Sequence, residues 1–503
     1  MPRRIVIAGG GVSGLVTAYR LLCDPDLFAK SPTQPDDANA IDLATFRSDL
    51  ELVLLEPNPD LGGNIRTEER DGFRVEWGPN GFLDNAPETP RLVRQLGIHD
   101  RLLPAADAAG KRFIFVRGAL RPVPLKPPAF LLSDLLSPAG RLRVLREPFI
   151  PARPDPRETV FSFAARRIGT EAARILVDSM VSGVYAGNSE ELELGSCFPK
   201  LYDLEREHGG LIRGMIALQK AKRAAQRAEG TARKVGSAAG PGGVLTSFDH
   251  GMQVLVAALT EKLHAAGARL ETGAAVTNLE QAAGRGWSIE LRRSGGASTE
   301  TERITCDAVV LATPPGVAAR LLRTHAAAAS EALAAIPGSP MVVVGLAFDP
   351  EQLPAPLDGF GFLVPRAQGV RSLGVLWDSS IYSGRAPKGQ VLVRAMIGGA
   401  RDPEVVGWSD AQLLAQIAAD LRTTMQITAT PRQVWVFRHP QGIPQYTRGH
   451  ADRLTAIDRA TADLPGLFLT GNGYRGVSVN HCVEQSIPVA RRVVKHALDR
   501  PAR

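Results

Sequence analysis

Arg4-Ile5-Val6-Ile7-Ala8-Gly9-Gly10-Gly11-Val12-Ser13-Gly14 opens the chain and decides how the rest is read. A β-branched run feeds into G-x-G-x-x-G, and the apolar stretch Leu15 to Leu22 follows it. Strand, glycine turn and helix in that order form the phosphate-binding corner of a Rossmann-type α/β fold. Gly9 allows the tight turn, Gly11 lets backbone N–H groups approach a pyrophosphate, and Gly14 lets helix pack on strand. Val12 and Ser13 begin the helix, whose N-terminus favours an anion. A buried parallel strand is expected at Leu52 to Leu55. It ends at Glu56, where a carboxylate would accept hydrogen bonds from ribose hydroxyls. The usual separation from the glycines is about 20 residues, and here it is about twice that. The excess lies in Cys23 to Asp49, rich in Asp, Pro, Ser and Ala, which reads as an inserted surface loop of small closure cost.

Farther out, Leu61-Gly62-Gly63-Asn64-Ile65-Arg66 supplies a second glycine pair followed by an arginine. Nicotinamide enzymes need no such pair, whereas chains that bind FAD in the amine-oxidase manner commonly have one. Gly62 and Gly63 would let backbone pass beside the ribityl-phosphate, and Arg66 would offset phosphate charge. Gly72 to Asn80 reads as a strand and a turn near the flavin, with Gly78, Pro79 and Asn80 in the turn. At the far end, Leu467-Phe468-Leu469-Thr470-Gly471 is a strand breaking into a glycine turn. Gly476-Val477-Ser478-Val479-Asn480 then leads into a helix expected to start near His481, its N-terminus aimed at the cofactor. Motifs at both ends mean that the chain leaves the FAD domain and returns to it.

These segments resemble the protoporphyrinogen oxidase family, from Ile5 to about Val494. The most specific are Gly78-Pro79-Asn80-Gly81-Phe82-Leu83, Lys111-Arg112-Phe113-Ile114-Phe115 and Leu120-Arg121-Pro122-Val123-Pro124; others include Ser182-Gly183-Val184-Tyr185-Ala186-Gly187, Gly359-Phe360-Gly361-Phe362-Leu363-Val364-Pro365 and Gly471 to Cys482. The chain departs from the bacterial pattern at His481, where Asp is more usual, and in the 23–49 insertion. The resemblance implies an FAD-binding domain of 1–86, 245–313 and 450–503, and an α+β substrate-binding domain of 105–117, 205–244 and 314–449. It also implies a helical, membrane-associating lobe of 87–104 and 118–204. It further implies that Val276 offers its backbone to the adenine and that Gly183 lies near the substrate.

Composition agrees with an enzyme of several lobes. The chain of 503 residues exceeds what one core usually supports. The net charge of +7 comes with no basic-aromatic module, so no nucleic-acid partner is expected. The 4 cysteines show no C-x-x-C spacing, which argues against a metal site and a disulfide framework and suits a cytoplasmic protein. Cys482 near the flavin raises a covalent thioether, but the resemblance favours noncovalent FAD. No apolar run reaches the roughly 18 residues of a spanning helix. Pro124 to Arg157 mixes apolar pieces with Arg141, Arg143, Arg146 and Arg153, as a peripheral membrane surface would.

The implied reaction converts protoporphyrinogen IX to protoporphyrin IX. Six electrons pass through FAD to dioxygen, yielding hydrogen peroxide, by hydride transfer from a meso carbon to flavin N5. A flat apolar macrocycle with propionates needs one cation and apolar walls. Arg112 is the candidate cation, because guanidinium pairs bidentately with carboxylate. Trp377, Phe362 and Leu357 are candidate walls. No Ser-His-Asp or paired-carboxylate signature stands out, and no catalytic acid or base is assigned. Three other readings are a coproporphyrinogen III oxidase, which needs more cations, an amine oxidase with an aromatic cage, and a flavin-binding scaffold without turnover. With 6 tyrosines in the chain, no Tyr pair stands out for a cage. A C2 homodimer is the default expectation, and a chelatase is the expected recipient of the product.

Overall fold

Alternation along the first strand sends its side chains into two cores. In Arg3–Ala8, Ile5 and Ile7 join one buried cluster while Val6 and Ala8 join another. A strand buried on both faces belongs at the centre of a parallel sheet. The computed structural model describes residues 3–28, 43–124, 127–229, 239–240, 243–282, 286–294 and 301–499, and there this strand is central. The sheet order is Arg269–Glu271, Leu50–Leu55, Arg3–Ala8, Ala308–Leu311, Leu467–Leu469, all parallel. Helices Val12–Leu22, Gln253–Ala265 and Val479–Leu498 fill the first core. The antiparallel strands Ala274–Ala282, Gly286–Arg293 and Glu302–Cys306 cover the other face with helices Pro315–Leu322, Ala327–Ala334 and His450–Ala462. Segments from the start, the middle and the end of the chain thus build one domain.

The second domain is a seven-stranded sheet in the order Gln433–Pro444, Gly338–Phe348, Val391–Gly398, Ser372–Leu376, Gly361–Leu363, Arg112–Val116, Ala119–Pro122. One face packs on helix Asp410–Met425 through Leu413, Ile417 and Leu421. The other face meets Phe73, Val75 and Trp77 of the first domain. That second contact positions everything that follows.

Several expectations need adjusting. The 23–49 segment is not simply a surface loop. Residues 29–42 lie outside the described ones, but Leu27 and Phe46 on its flanks are buried in the first core. Helix Leu43–Ser48 is tied down by Arg47, which donates to the Leu21 and Asp24 carbonyls. The loop expected at Ala228 to Gly243 falls mostly outside the described residues, and helix Leu211–Glu229 runs to its start. That helix, expected with the substrate-binding domain, packs on the helical lobe instead. Its first N–H groups, at Leu211 and Ile212, donate to the Glu147 carboxylate, which satisfies a helix terminus from a distance. Strand Ala119–Pro122, expected in the lobe, closes the edge of the substrate sheet. The last helix starts at Val479, capped by Ser478 Oγ, two residues before the expected His481.

Candidate active site

The two glycine motifs meet. Gly9 has φ +111°, and a Cβ there would lie 2.5 Å from the Ala312 carbonyl oxygen. At Gly14 a Cβ would come within 1.9 Å of the Gly9 oxygen, so helix and strand touch as the motif requires. Gly11 differs: its added Cβ would meet nothing nearer than Gly63 Cα at 4.0 Å. Gly62 N donates to the Gly10 carbonyl at 2.8 Å, which lays the second glycine pair on the first. Gly11 caps helix Val12–Leu22 with no side chain of its own, so the first-turn N–H groups point into the open space beside it.

Glu56 is 4 % exposed at the end of its strand. One carboxylate oxygen accepts from Gly10 N at 2.7 Å, and the other from Asn58 N and Nδ2. The oxygen that takes both Asn58 donors is filled, while the one that accepts from Gly10 keeps a second lone pair for a ribose hydroxyl. Val276 follows Ala274, whose N donates to the Glu56 carbonyl, and the strand is irregular between Val276 and Asn278. Thr313 and Thr470 lie just past the ends of the parallel strands Ala308–Leu311 and Leu467–Leu469, the edge at which such sheets bind ligands. Thr313 Oγ1, Thr470 Oγ1, Asn480 Oδ1, Tyr474 Oη, Arg66 Nε and both amide atoms of Asn80 are buried without a hydrogen-bond partner. Orphaned buried polar atoms in such number call for an occupant. A glycine cradle, a helix N-terminus and a ribose-side carboxylate define a dinucleotide, so the residues present fit FAD.

Cys482 does not fit a thioether. It is buried beneath the phosphate-binding helix beside Ser13, and burial raises the pKa of its thiol, keeping it protonated. The glycine turn 471–476 is braced from outside. Tyr446 Oη donates to the Asn472 carbonyl and accepts from Gly476 N at 2.8 Å. Its ring stacks on His450 at 4.0 Å, and His450 Nε2 donates to the Tyr474 carbonyl. Burial drops the His450 pKa from 6.5 to about 4. The unfolded chain therefore takes up this proton first, and the His450 contribution is whole above pH 6.5 and lost as pH falls toward 4. Apoprotein melting temperature should fall across that window, and His450→Phe should flatten the slope. An unchanged slope in the variant contradicts the assignment.

On the substrate sheet, register gives a row of residues sharing one face: Arg112, Gly361, Leu376, Arg394, Gly345 and Trp435. A Cβ on Gly345 would press on Val75, so this is the face turned toward the first domain. Two positions along, Leu363, Gly374 and Met396 share it. Leu363, Leu376 and Met396 are half-exposed, while Phe362, Val375 and Ala395 on the opposite face are buried. The result is an apolar shelf with glycine gaps and Arg112 at one end. Arg112 makes no ion pair among the described residues, lies over the Phe360 ring at 5.1 Å, and has its pKa lowered by burial. Gly183, on helix Asp178–Tyr185, presses on the shelf, since a Cβ there would meet Leu363 at 2.9 Å.

The expected walls are placed elsewhere. Phe362, Trp377 and Leu357 fill the cluster beneath helix Asp410–Met425, away from the first domain. The reason is the two-residue period of a strand: Phe362 and Leu363 must point oppositely. Leu363, Leu376 and Met396 were missed because both faces of these strands are apolar. Gly361 and Gly374, which open gaps on one face only, were the available signal.

Comparison with known proteins agrees with this geometry. A family model for flavin-containing amine oxidoreductases matches residues 12–494. The chain is 34% identical to human protoporphyrinogen oxidase, over 98% of this chain and 99% of that one. It is 32% identical to the chloroplastic protoporphyrinogen oxidase of Nicotiana tabacum, over 97% of this chain and 85% of that one. Coproporphyrinogen III oxidase of Bacillus subtilis is 28% identical, over 96% of each chain. Among solved structures, a protein of Exiguobacterium sp. 255-15 shares the fold with a TM-score of 0.79 at 23% identity, over 99% of each chain. Cyclohexylamine oxidase of Brevibacterium oxydans shares it with a TM-score of 0.63 at 16% identity, over 99% of this chain and 100% of that one.

Proposed function

Because the chain belongs to the flavin-containing amine oxidoreductase family, we propose that this FAD-dependent oxidoreductase converts protoporphyrinogen IX to protoporphyrin IX, with dioxygen as acceptor and hydrogen peroxide as by-product. The observation that carries this reading is the shelf: one carboxylate-free cation, Arg112, at the end of a half-exposed apolar face turned toward the cofactor domain. FAD, when bound, supplies the redox chemistry in two-electron steps. The chain's own residues bind and orient. Leu363, Leu376 and Met396 offer a flat surface to the macrocycle, Gly183 keeps the opposite wall close, and Arg112 holds a propionate. The Asn80 amide, with both atoms unpartnered, can orient a pyrrole N–H or a flavin edge but cannot take a proton.

Coproporphyrinogen III is the second reading, since a relative bears that name. Its four carboxylates ask for more open cations than the described residues place near Arg112. Lys111 pairs with Asp358, Arg121 with Asp134, Arg366 with Glu190 and Asp178, and Arg401 with Asp178. An amine-oxidase cage is not supported: Tyr185, Tyr382, Tyr446 and Tyr474 are all buried rather than lining an open channel.

A peripheral membrane face belongs to the same reading. No helix of the described residues is long and apolar enough to cross a membrane. Leu142, Leu145, Phe149, Met215, Ile216 and Leu218 of the helical lobe are exposed, beside exposed Arg146, Arg213 and Lys220. Phe149 is 82 % exposed, far from ordinary for its size. Inserting one such side chain is worth about 1.5–3 kcal/mol. Phe149→Glu should therefore weaken co-sedimentation with phosphatidylglycerol vesicles about tenfold or more, with FAD content unchanged. Equal sedimentation of both proteins would move the membrane face elsewhere.

A further inference from the structure

The strand Phe73–Glu76 leads directly into Trp77, Gly78, Pro79 and Asn80, the turn that faces the cofactor site. A turn of this kind has backbone carbonyls with no strand partner. Here three successive ones are satisfied from the other domain. Arg394 Nη1 donates to the Glu76 carbonyl at 2.8 Å and to the Gly78 carbonyl at 3.1 Å. His439 Nε2 donates to the Trp77 carbonyl at 2.9 Å, and because a carbonyl only accepts, the proton must sit on Nε2. Burial lowers the pKa of His439, which keeps the ring neutral.

Both donors stand on the substrate sheet, on strands Val391–Gly398 and Gln433–Pro444. Arg394 is aimed by Asp378, which takes Nε at 2.7 Å and Nη2 at 3.3 Å, with both side chains 2 % exposed. The Trp77 ring is stacked on Phe437 at 4.8 Å, two residues before His439. The turn has no slack on its other side, since a Cβ on Gly78 would lie 2.5 Å from the Asn64 carbonyl oxygen. Arg394 also shares its cross-strand row with Arg112, with Leu376 of the shelf between them.

We infer that Arg394, aimed by Asp378, and His439 form an interdomain carbonyl clamp that sets the position of the Gly78–Asn80 turn, and with it the flavin edge, over the substrate shelf. They are positioning residues: neither needs to touch the substrate. A displacement of about 1 Å between reacting centres can cost about a hundredfold in rate while leaving binding intact. The clamp should therefore act on the chemical step.

The inference uses the porphyrinogen reading only for the choice of reductant. The test uses holoenzyme of Arg394→Met/Asp378→Asn, His439→Phe and His439→Gln. The double variant avoids stranding a buried carboxylate. In His439→Gln a side-chain amide keeps an N–H for the Trp77 carbonyl. Anaerobic bleaching of the flavin by protoporphyrinogen IX is followed by stopped flow, and visible circular dichroism of the bound flavin is recorded without substrate. Expected are bleaching at least about tenfold slower at saturation in the double variant and in His439→Phe, half-saturation within about twofold, and an altered flavin dichroism. His439→Gln should restore both. Wild-type bleaching and dichroism in the variants would overturn the clamp, as would a slowdown that merely tracks lost FAD or that His439→Gln shares. If the wild type itself is not bleached, the substrate reading fails, while the dichroism still decides the clamp.

Discussion

Gly11→Val should purify folded and colourless. The Gly11 backbone, with φ −69° and ψ 175°, is extended and suits any residue. Nothing but Gly63 Cα comes within 4.0 Å of a Cβ placed there. The apoprotein loses only the preference for glycine over valine at a helix N-cap, and the valine methyls occupy the space that the pyrophosphate needs. FAD retention should fall below detection after desalting, with the apoprotein melting temperature within about 2 °C of wild-type apoprotein, the effect of about 1 kcal/mol for a weaker N-cap. Gly14→Ala should behave in the opposite way. Its Cβ would sit 1.9 Å from the Gly9 oxygen, so the strand–helix contact itself must open and the fold should suffer. Ultraviolet-visible spectra and thermal melts of the two variants separate the effects. A yellow Gly11→Val protein would mean that the phosphates lie elsewhere.

Arg112→Ala should lose the substrate and keep the cofactor. The guanidinium has no carboxylate of its own, so its removal leaves no buried anion behind. A hydrogen bond to a charged partner is worth about 1.5–3 kcal/mol, which corresponds to roughly a 10- to 150-fold rise in KM for protoporphyrinogen IX. Arg112→Lys should recover part of this, because an ammonium keeps the charge but not the bidentate geometry. FAD content should match wild type in both. An unchanged KM in Arg112→Ala would place the propionate site away from this end of the shelf.

What could be read in the sequence was whatever sits within a few residues of its own partner. The strand, turn and helix of residues 4–22 are local, and Gly9 and Gly14 make the close backbone approaches that their spacing implies. The pairing of the terminal motifs was legible too, since Leu467–Leu469 reads as a buried strand and lies in the same sheet as Arg3–Ala8. Register was not legible. Phe362 and Leu363 are adjacent, both apolar, and face opposite ways, so a shift of one position moves the wall from one domain face to the other. The clamp was beyond reach for a different reason. Arg394 and His439 serve carbonyls more than 300 residues away in sequence, and nothing in their own neighbourhoods marks them out. Asp378 opens the short helix Asp378–Ile381, and its carboxylate is spent on Arg394.

The central claim is that a single open cation among the described residues beside an apolar shelf makes this a protoporphyrinogen oxidase. Side-by-side aerobic oxidation of protoporphyrinogen IX and coproporphyrinogen III by the yellow protein, followed by porphyrin fluorescence at matched enzyme, tests it most directly. Faster turnover of protoporphyrinogen IX, with hydrogen peroxide formed in proportion, is the predicted result. Faster turnover of coproporphyrinogen III would contradict it, keeping the fold and FAD but requiring cations that the paired arginines around the shelf do not provide.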